Sequence, residues 1–183
     1  MRYANIDTFE TINGEGVGIS LFVQGCHFHC PGCFNSDAWN FNDGKEWTEE
    51  SEKYFFELIA KSYIKRISIL GGEPLADENI NVVLQLIKKI NKYYPDKAIW
   101  LYSGYTWDKI INKYNECKYS VFSPGANKWL LRYEAIGNVD IFVDGQFEKD
   151  KKDLTLKFRG SRNQHVIDVQ ESLKQNKLIL YFD

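Results

Sequence analysis

The chain has 183 residues, enough for one domain over 1–183 whose core needs neither disulfides nor metal to hold it together. Its 23 basic side chains stand against 25 acidic ones, and a net charge of −2 gives no electrostatic reason to expect nucleic acid or a membrane surface as partner. With 44% apolar and 26% charged residues the composition is globular, no run approaches the roughly 20 apolar residues of a membrane span, and Met1-Arg2-Tyr3-Ala4-Asn5 lacks the apolar core of a signal peptide, so the expected location is the cytoplasm.

In chain order, Thr11 to Gly18 carries three glycines and reads as a loop. Ile19 to Gln24 is short and rich in β-formers, so it reads as a strand that leads directly into Gly25-Cys26-His27-Phe28-His29-Cys30-Pro31-Gly32-Cys33-Phe34-Asn35. Thr48 is a plausible N-cap, Glu49 and Glu50 suit a first helical turn, and Tyr54, Phe55, Leu58 and Ile59 recur at helical spacing to about Ser62. A strand over Arg66 to Leu70 stops at Gly71-Gly72-Glu73-Pro74. A helix over Ile80 to Tyr93 carries Val83, Leu86, Ile87 and Ile90 on one face and ends before Pro95. Ala98 to Tyr102 is a third strand, ending at Ser103-Gly104. The pattern predicts a helix over Trp107 to Tyr114, a strand over Lys118 to Phe122, a strand over Val139 to Val143 leading into Asp144-Gly145-Gln146, a strand over His165 to Val169, and a closing apolar segment over Leu178 to Phe182.

Strands alternating with helices imply right-handed βαβ units and an open parallel sheet with helices outside it. Five or six strands are too few for a closed eight-stranded barrel, so the expected α/β fold is a curved, partly open (β/α)6 barrel. Ligands in such folds bind outside the carboxyl ends of the strands, which would put Cys26, Glu73, Ser103 and Asp144 on one rim.

The cysteine loop holds three of the four cysteines, with three residues between Cys26 and Cys30 and two between Cys30 and Cys33. Thiolates are the soft ligands of iron-sulfur clusters, and three of them on a four-iron cluster leave one iron open for chemistry. The same residues permit other readings: a closed Cys3His zinc site with His27 or His29, or a dithiol pair in Cys30-Pro31-Gly32-Cys33. A zinc deaminase would need a different order of proline and cysteine and a His-x-Glu. Gly71 and Gly72 leave backbone groups reachable, and Glu73 adds a carboxylate suited to an ammonium group. Cys117, with no loop glycine or second cysteine near it, reads as a small apolar residue, and His27 and His29 read as packing or supporting donors.

Taken together, the three-cysteine spacing and the Gly-Gly-Glu after the next strand resemble the radical S-adenosylmethionine enzymes. That resemblance implies a 4Fe-4S cluster on Cys26, Cys30 and Cys33, S-adenosyl-L-methionine on the open iron, and Gly71, Gly72 and Glu73 at the methionine amino group. Such carbon-radical chemistry is supplied by cofactors, not by side chains alone. Cys33-Phe34-Asn35, Ala38-Trp39-Asn40-Phe41, Leu101-Tyr102-Ser103-Gly104-Tyr105-Thr106, Val143-Asp144-Gly145 and Arg159-Gly160-Ser161-Arg162-Asn163-Gln164 narrow the likeness. They resemble the activating proteins of anaerobic ribonucleoside-triphosphate reductases, which implies a 5′-deoxyadenosyl radical that takes a hydrogen atom from a glycine of the reductase large subunit. It also implies Ser103, Asp144 and Gln146 at the cofactor's ribose and carboxylate, Val166 at its adenine, and a low-potential electron donor such as flavodoxin or ferredoxin. The activating family often carries an arginine where Gly18 stands, and Gly14-Glu15-Gly16 followed by Gly18 also looks like 7-carboxy-7-deazaguanine synthase, a radical enzyme acting on a small pterin.

Overall fold

The computed structural model describes residues 1–119 and 125–182, and the chain enters it on a strand. β1 (Arg2–Glu10) runs antiparallel to β2 (Gly18–Val23), and a two-residue strand, β3 (Lys45–Glu46), pairs with the start of β1. There follow α1 (Glu49–Ile59), β4 (Arg66–Gly71), α2 (Ile80–Tyr93), β5 (Ala98–Tyr102), α3 (Trp107–Cys117) and α4 (Ala126–Gly137). β6 (Ile141–Asp144), β7 (His165–Asp168) and α5 (Val169–Gln175) complete the series. The strand expected over Lys118 to Phe122 falls on residues that, from 120 on, lie outside the described ones.

The seven strands form one sheet in the order β3-β1-β2-β4-β5-β6-β7. Only the neighbouring pairs β2–β4, β4–β5 and β5–β6 are parallel, so the sheet is mixed where an all-parallel one was expected. The reason lies in the connections. β1 and β2 are joined by a short loop, and between β6 and β7 the chain makes only a 3-10 turn at Lys149–Lys151, with no crossover helix to carry it back to the starting edge. β7 therefore returns antiparallel to β6. Strands β3 and β7 stand at opposite edges and do not pair, so the sheet is open.

Alternation along the strands separates two environments. Ile19, Leu21 and Val23 of β2, Ile67 and Ile69 of β4, Ile99 and Leu101 of β5, Phe142 of β6 and Ile167 of β7 build the main core with the helices. On the other face Trp100, Ile141, Val143 and Val166 form a second cluster with Tyr102, Phe158 and Phe182. The parallel strands lie in sequence order, so every right-handed crossover puts its helix on the same face and leaves the other for ligands.

Local chemistry explains the helices. Thr48 caps α1, its hydroxyl accepting from Ser51 N at 3.2 Å, three glutamates occupy the first turn, and Phe55, Leu58 and Ile59 are buried. α2 buries Val83, Leu84, Leu86, Ile87 and Ile90. Thr106 caps α3, which runs three residues beyond its expected end at Tyr114, and Cys117 in its last turn is partly buried. The closing segment adds one bridge, Leu180 to Ile167, and stacks Tyr181 edge-on against Trp100. Among the described residues no helix is long and apolar enough to cross a membrane.

Candidate functional site

β2 is buried along nearly its whole length and delivers Gly25 and Cys26 to the rim. The loop that follows is folded back on its own stem. Gly25 N donates to Ala38 O at 2.8 Å, Cys26 N to Trp39 O at 2.9 Å, and the Gln24 amide to Asp37 O and Asn40 O at 3.1 and 2.9 Å. Between these ties Cys33 N turns back to Cys30 O at 3.0 Å, and Asn35 N donates to the Cys33 sulfur at 3.4 Å.

The end of β4 is laced to this loop. Gly72 N donates to Val23 O at 2.8 Å and Glu73 N to Gly25 O at 2.7 Å. Gly71 has φ +105°, and a Cβ on Gly72 would lie 2.5 Å from Gly25 O, so the two glycines are what allows the segments to lie this close. Glu73 is 2% exposed. One carboxylate oxygen accepts from Leu75 N at 2.8 Å and Ser103 Oγ at 2.7 Å, and the other from Gly104 N at 2.8 Å. Burial pushes the carboxyl up to about 7 against the pull of those three hydrogen bonds. Glu73 thus fastens the end of β4 to the end of β5.

Cys26, Cys30, Cys33, Gly71, Gly72, Glu73, Ser103 and Gln146 all line one cavity of about 570 Å3, within the range of small-molecule sites. Burial pushes the Cys26 thiol up to about 11, with the negative charges of Glu73 and Cys30 adding to it. Burial also raises Cys30, and Cys33 opposes its ionisation further. Three soft donors on one loop suit a positively charged iron-sulfur group, and its binding would release the protons that burial keeps on Cys26 and Cys30. His27 is engaged by Glu78 at 2.9 Å and His29 stacks on Trp39 at 4.7 Å, so neither ring completes a Cys3His set. Among the described residues no three His, Cys, Asp or Glu side chains converge as ligands of a single ion.

Two residues singled out from the sequence lie elsewhere. Asp144 is 2% exposed and its carboxylate accepts from Trp107 N at 2.8 Å, His165 N at 3.0 Å and the His165 ring at 2.9 Å. It joins the end of β6 to the starts of α3 and β7. Val166 is fully buried in the second cluster, and neither residue lines the cavity.

The cavity also contains residues to which the sequence assigned no role. Ile12 and Asn13 reach it from the β1–β2 loop, Tyr102 and Val143 from the strands, and Phe147, Leu154 and Phe158 from the β6–β7 connection. The motif Arg159 to Gln164 stands out in the sequence without showing a role. Here Gln164 accepts from Gly160 N and Ser161 N at 2.9 and 3.1 Å and donates to Gly145 O at 2.8 Å, fixing that connection across the cavity. The Tyr102 hydroxyl and Arg159 Nε are buried without a partner among the described residues, and both residues line the cavity. Ile12, Phe34 and Leu154 stand around it 77%, 70% and 81% exposed.

A family model described as a 4Fe-4S single cluster domain matches residues 12–167. The chain is 33% identical over 168 residues to the anaerobic ribonucleoside-triphosphate reductase-activating protein of Vibrio cholerae, covering 91% of this chain and 97% of the relative. The protein of the same name from Escherichia coli K12 is also 33% identical over 168 residues, with the same coverage. That of enterobacteria phage T4 is 31% identical over 166 residues, covering 91% and 93%.

Proposed function

The chain belongs to the family of anaerobic ribonucleoside-triphosphate reductase-activating proteins, and on that premise we propose that Cys26, Cys30 and Cys33 hold a 4Fe-4S cluster beside bound S-adenosyl-L-methionine. The observation that carries the assignment is the convergence of those three thiols with Gly71, Gly72 and Glu73 on one cavity. When bound, the pair supplies a 5′-deoxyadenosyl radical that takes a hydrogen atom from a glycine of the reductase large subunit, leaving a glycyl radical.

The chain's own residues bind and orient. The backbone at Gly71 and Gly72 and the Glu73 carboxylate receive the ammonium group of the methionine moiety, which would draw Glu73 into its ionised form. Ser103 Oγ donates to Glu73 and accepts from Tyr105 N at 3.0 Å, which leaves it one lone pair for a ribose hydroxyl. Gln146, whose Oε1 lies 3.9 Å from the Cys30 sulfur, faces the same space. Asp144 and Val166 act from behind the wall, Asp144 by fixing α3 and β7 and Val166 by packing in the cluster that backs Tyr102 and Phe158, where it would support the side of the cavity that takes the adenine.

Residues 1–183 work as one domain in the cytoplasm, and the open sheet with its helices on one face is read as a partial (β/α)6 barrel. A low-potential donor such as flavodoxin or ferredoxin supplies the electron, and neither nucleic acid nor membrane takes part. The relatives named above are reductase-activating proteins, which supports this reading over the deazaguanine synthase. The test is anaerobic reconstitution with iron and sulfide, followed by incubation with S-adenosyl-L-methionine, a reductant and the reductase. A glycyl doublet in electron paramagnetic resonance is expected. A colourless zinc protein, or cofactor turnover on a pterin with no doublet, would overturn the proposal.

A further inference from the structure

Arg66 opens β4 at the end of the sheet opposite the cysteines and, at 1% exposure, heads the fully buried side chains in size. A guanidinium has five N–H donors, and here every one has a partner. Nε donates to Glu15 O at 3.2 Å; Nη1 to Asn13 O at 2.7 Å and to Ser68 Oγ; Nη2 to Glu10 O at 3.3 Å and Glu10 Oε1 at 2.7 Å. All but Ser68 belong to residues 10–15, the last residue of β1 and the first part of the loop that leads to β2. Glu10 tightens the same loop from within, its other carboxylate oxygen accepting from Ile12 N and Asn13 N at 2.6 and 2.9 Å.

Burying an ion carries a desolvation penalty that an apolar side chain of similar size avoids, so the pair's presence needs a reason beyond filling space. The surrounding backbone is shaped to admit it. A Cβ on Gly18 would lie 2.5 Å from the guanidinium carbon, and one on Gly14 would lie 2.5 Å from Arg66 Cδ. The glycine that departs from the family pattern therefore stands where Arg66 needs the room. The loop so held sends Ile12 and Asn13 into the cavity from the amino ends of the parallel strands, whereas the residues proposed for cluster and cofactor come from the carboxyl ends.

We propose that Arg66 is a positioning residue for the protein substrate: its fork fixes residues 10–15 so that Ile12 and Asn13 form the wall that seats the incoming glycine segment. The inference rests on the reading of the chain as a reductase activator. Hydrogen-atom transfer requires the two carbons close to contact, and a misplacement of about 1 Å can lower the rate roughly 100-fold. A loosened loop would therefore uncouple the two halves of the reaction, since the residues proposed for cluster and cofactor lie at the carboxyl ends of the strands and are not held by it.

Arg66→Lys keeps the charge but loses the planar fork, and Gly18→Ala pushes on the guanidinium without altering any donor or acceptor. In reconstituted enzyme with reductase and a chemical reductant, glycyl radical formed per S-adenosyl-L-methionine cleaved should fall at least tenfold in each. Gly18→Ala should add nothing in the Arg66→Lys background, because both act through one group. If Arg66→Lys does not fold, Gly18→Ala alone decides. Radical and cleavage falling in parallel, an unchanged ratio, or additive effects of the two substitutions would overturn the proposal. Wild-type enzyme that cleaves the cofactor but yields no glycyl radical would instead refute the functional reading, and this inference with it.

Discussion

Gly72→Ala tests the lacing between the cysteine loop and the end of β4. The new Cβ would lie 2.5 Å from Gly25 O and 2.9 Å from both Ala38 O and Gly25 C, where ordinary contact begins at 3.4 Å. All three atoms are backbone, so no side chain can swing aside. Relief requires the β4 end to retreat, which stretches Glu73 N to Gly25 O and disturbs Gly25 N to Ala38 O, the bond that closes the cysteine loop. Overpacking of this kind costs about 1–3 kcal/mol, and a weakened hydrogen bond about 1 kcal/mol more. The total of about 2–4 kcal/mol corresponds to a fall in Tm of roughly 4–16 °C for a chain of this size. Gly16→Ala is the control: Gly16 has φ +74° with nothing among the described residues within 4 Å of its would-be Cβ, so only left-handed strain of about 1–2 kcal/mol applies. Thermal melts of the apoprotein and iron content after reconstitution read both effects. Equal melts for the two variants, or Gly72→Ala with native Tm and full iron content, would refute the claim that backbone proximity is why glycine stands there.

Alanine at Cys26, Cys30 or Cys33 should each abolish cofactor cleavage, whereas Cys117→Ala should retain it; loss of the cluster in Cys117→Ala would show that the ligand set is wrong. Glu73 gives the apoprotein a pH dependence of definite sign. Its carboxyl, raised from 4.5 to about 7 by burial, keeps a proton in the folded state that the unfolded chain has already released, so stability falls as pH rises from 4.5 to 7. Melts at pH 5 and 7.5 should reveal that slope in the wild type and not in Glu73→Gln; an equal slope in both would assign it to other groups. Phe34→Ser and Leu154→Ser remove apolar surface beside the cavity and should raise the apparent KM for the reductase by roughly fivefold each, about 1 kcal/mol of lost burial. Their melts should stay at the wild-type value, and a KM that does not move would place the partner on another face.

The strands that carry the site are legible in the sequence because they are buried on both faces and end abruptly. Arg66 to Leu70 is a short, mostly apolar run stopped by two glycines, and Ala98 to Tyr102 is stopped by Ser103-Gly104; each strand ends within a residue of where its pattern stops. β1 is hidden for the opposite reason. Its pairing with β2 shifts register between Tyr3 and Asn5 and again between Asp7 and Glu10, which erases the alternation by which a strand is recognised. α4 is hidden by a charge in its buried face. Arg132 is 4% exposed, donates to Leu75 O at 2.9 Å and lies over the rings of Tyr105 and Trp129, so a residue that reads as solvent-facing is part of the packing.

The site itself divides along the same line. A charged residue at a strand end can face a ligand or fasten neighbouring segments, and its position in the sequence is the same in both cases. Asp144 is fastened to groups 37 and 21 residues away, Glu73 to a backbone amide 31 residues away, and Arg66 to a carboxylate 56 residues away. Such partners cannot be read from spacing, because the fold alone brings them together. Cysteines differ: three thiols within one loop are near one another whatever the fold does, and so their spacing alone points to a shared role. What the fold adds is the reason that loop keeps its shape. Glu73 holds the ends of β4 and β5 together, Asp144 fastens the end of β6 to the starts of α3 and β7, Arg66 ties the loop at the opposite end, and the cavity between them keeps the walls on which the three thiols stand.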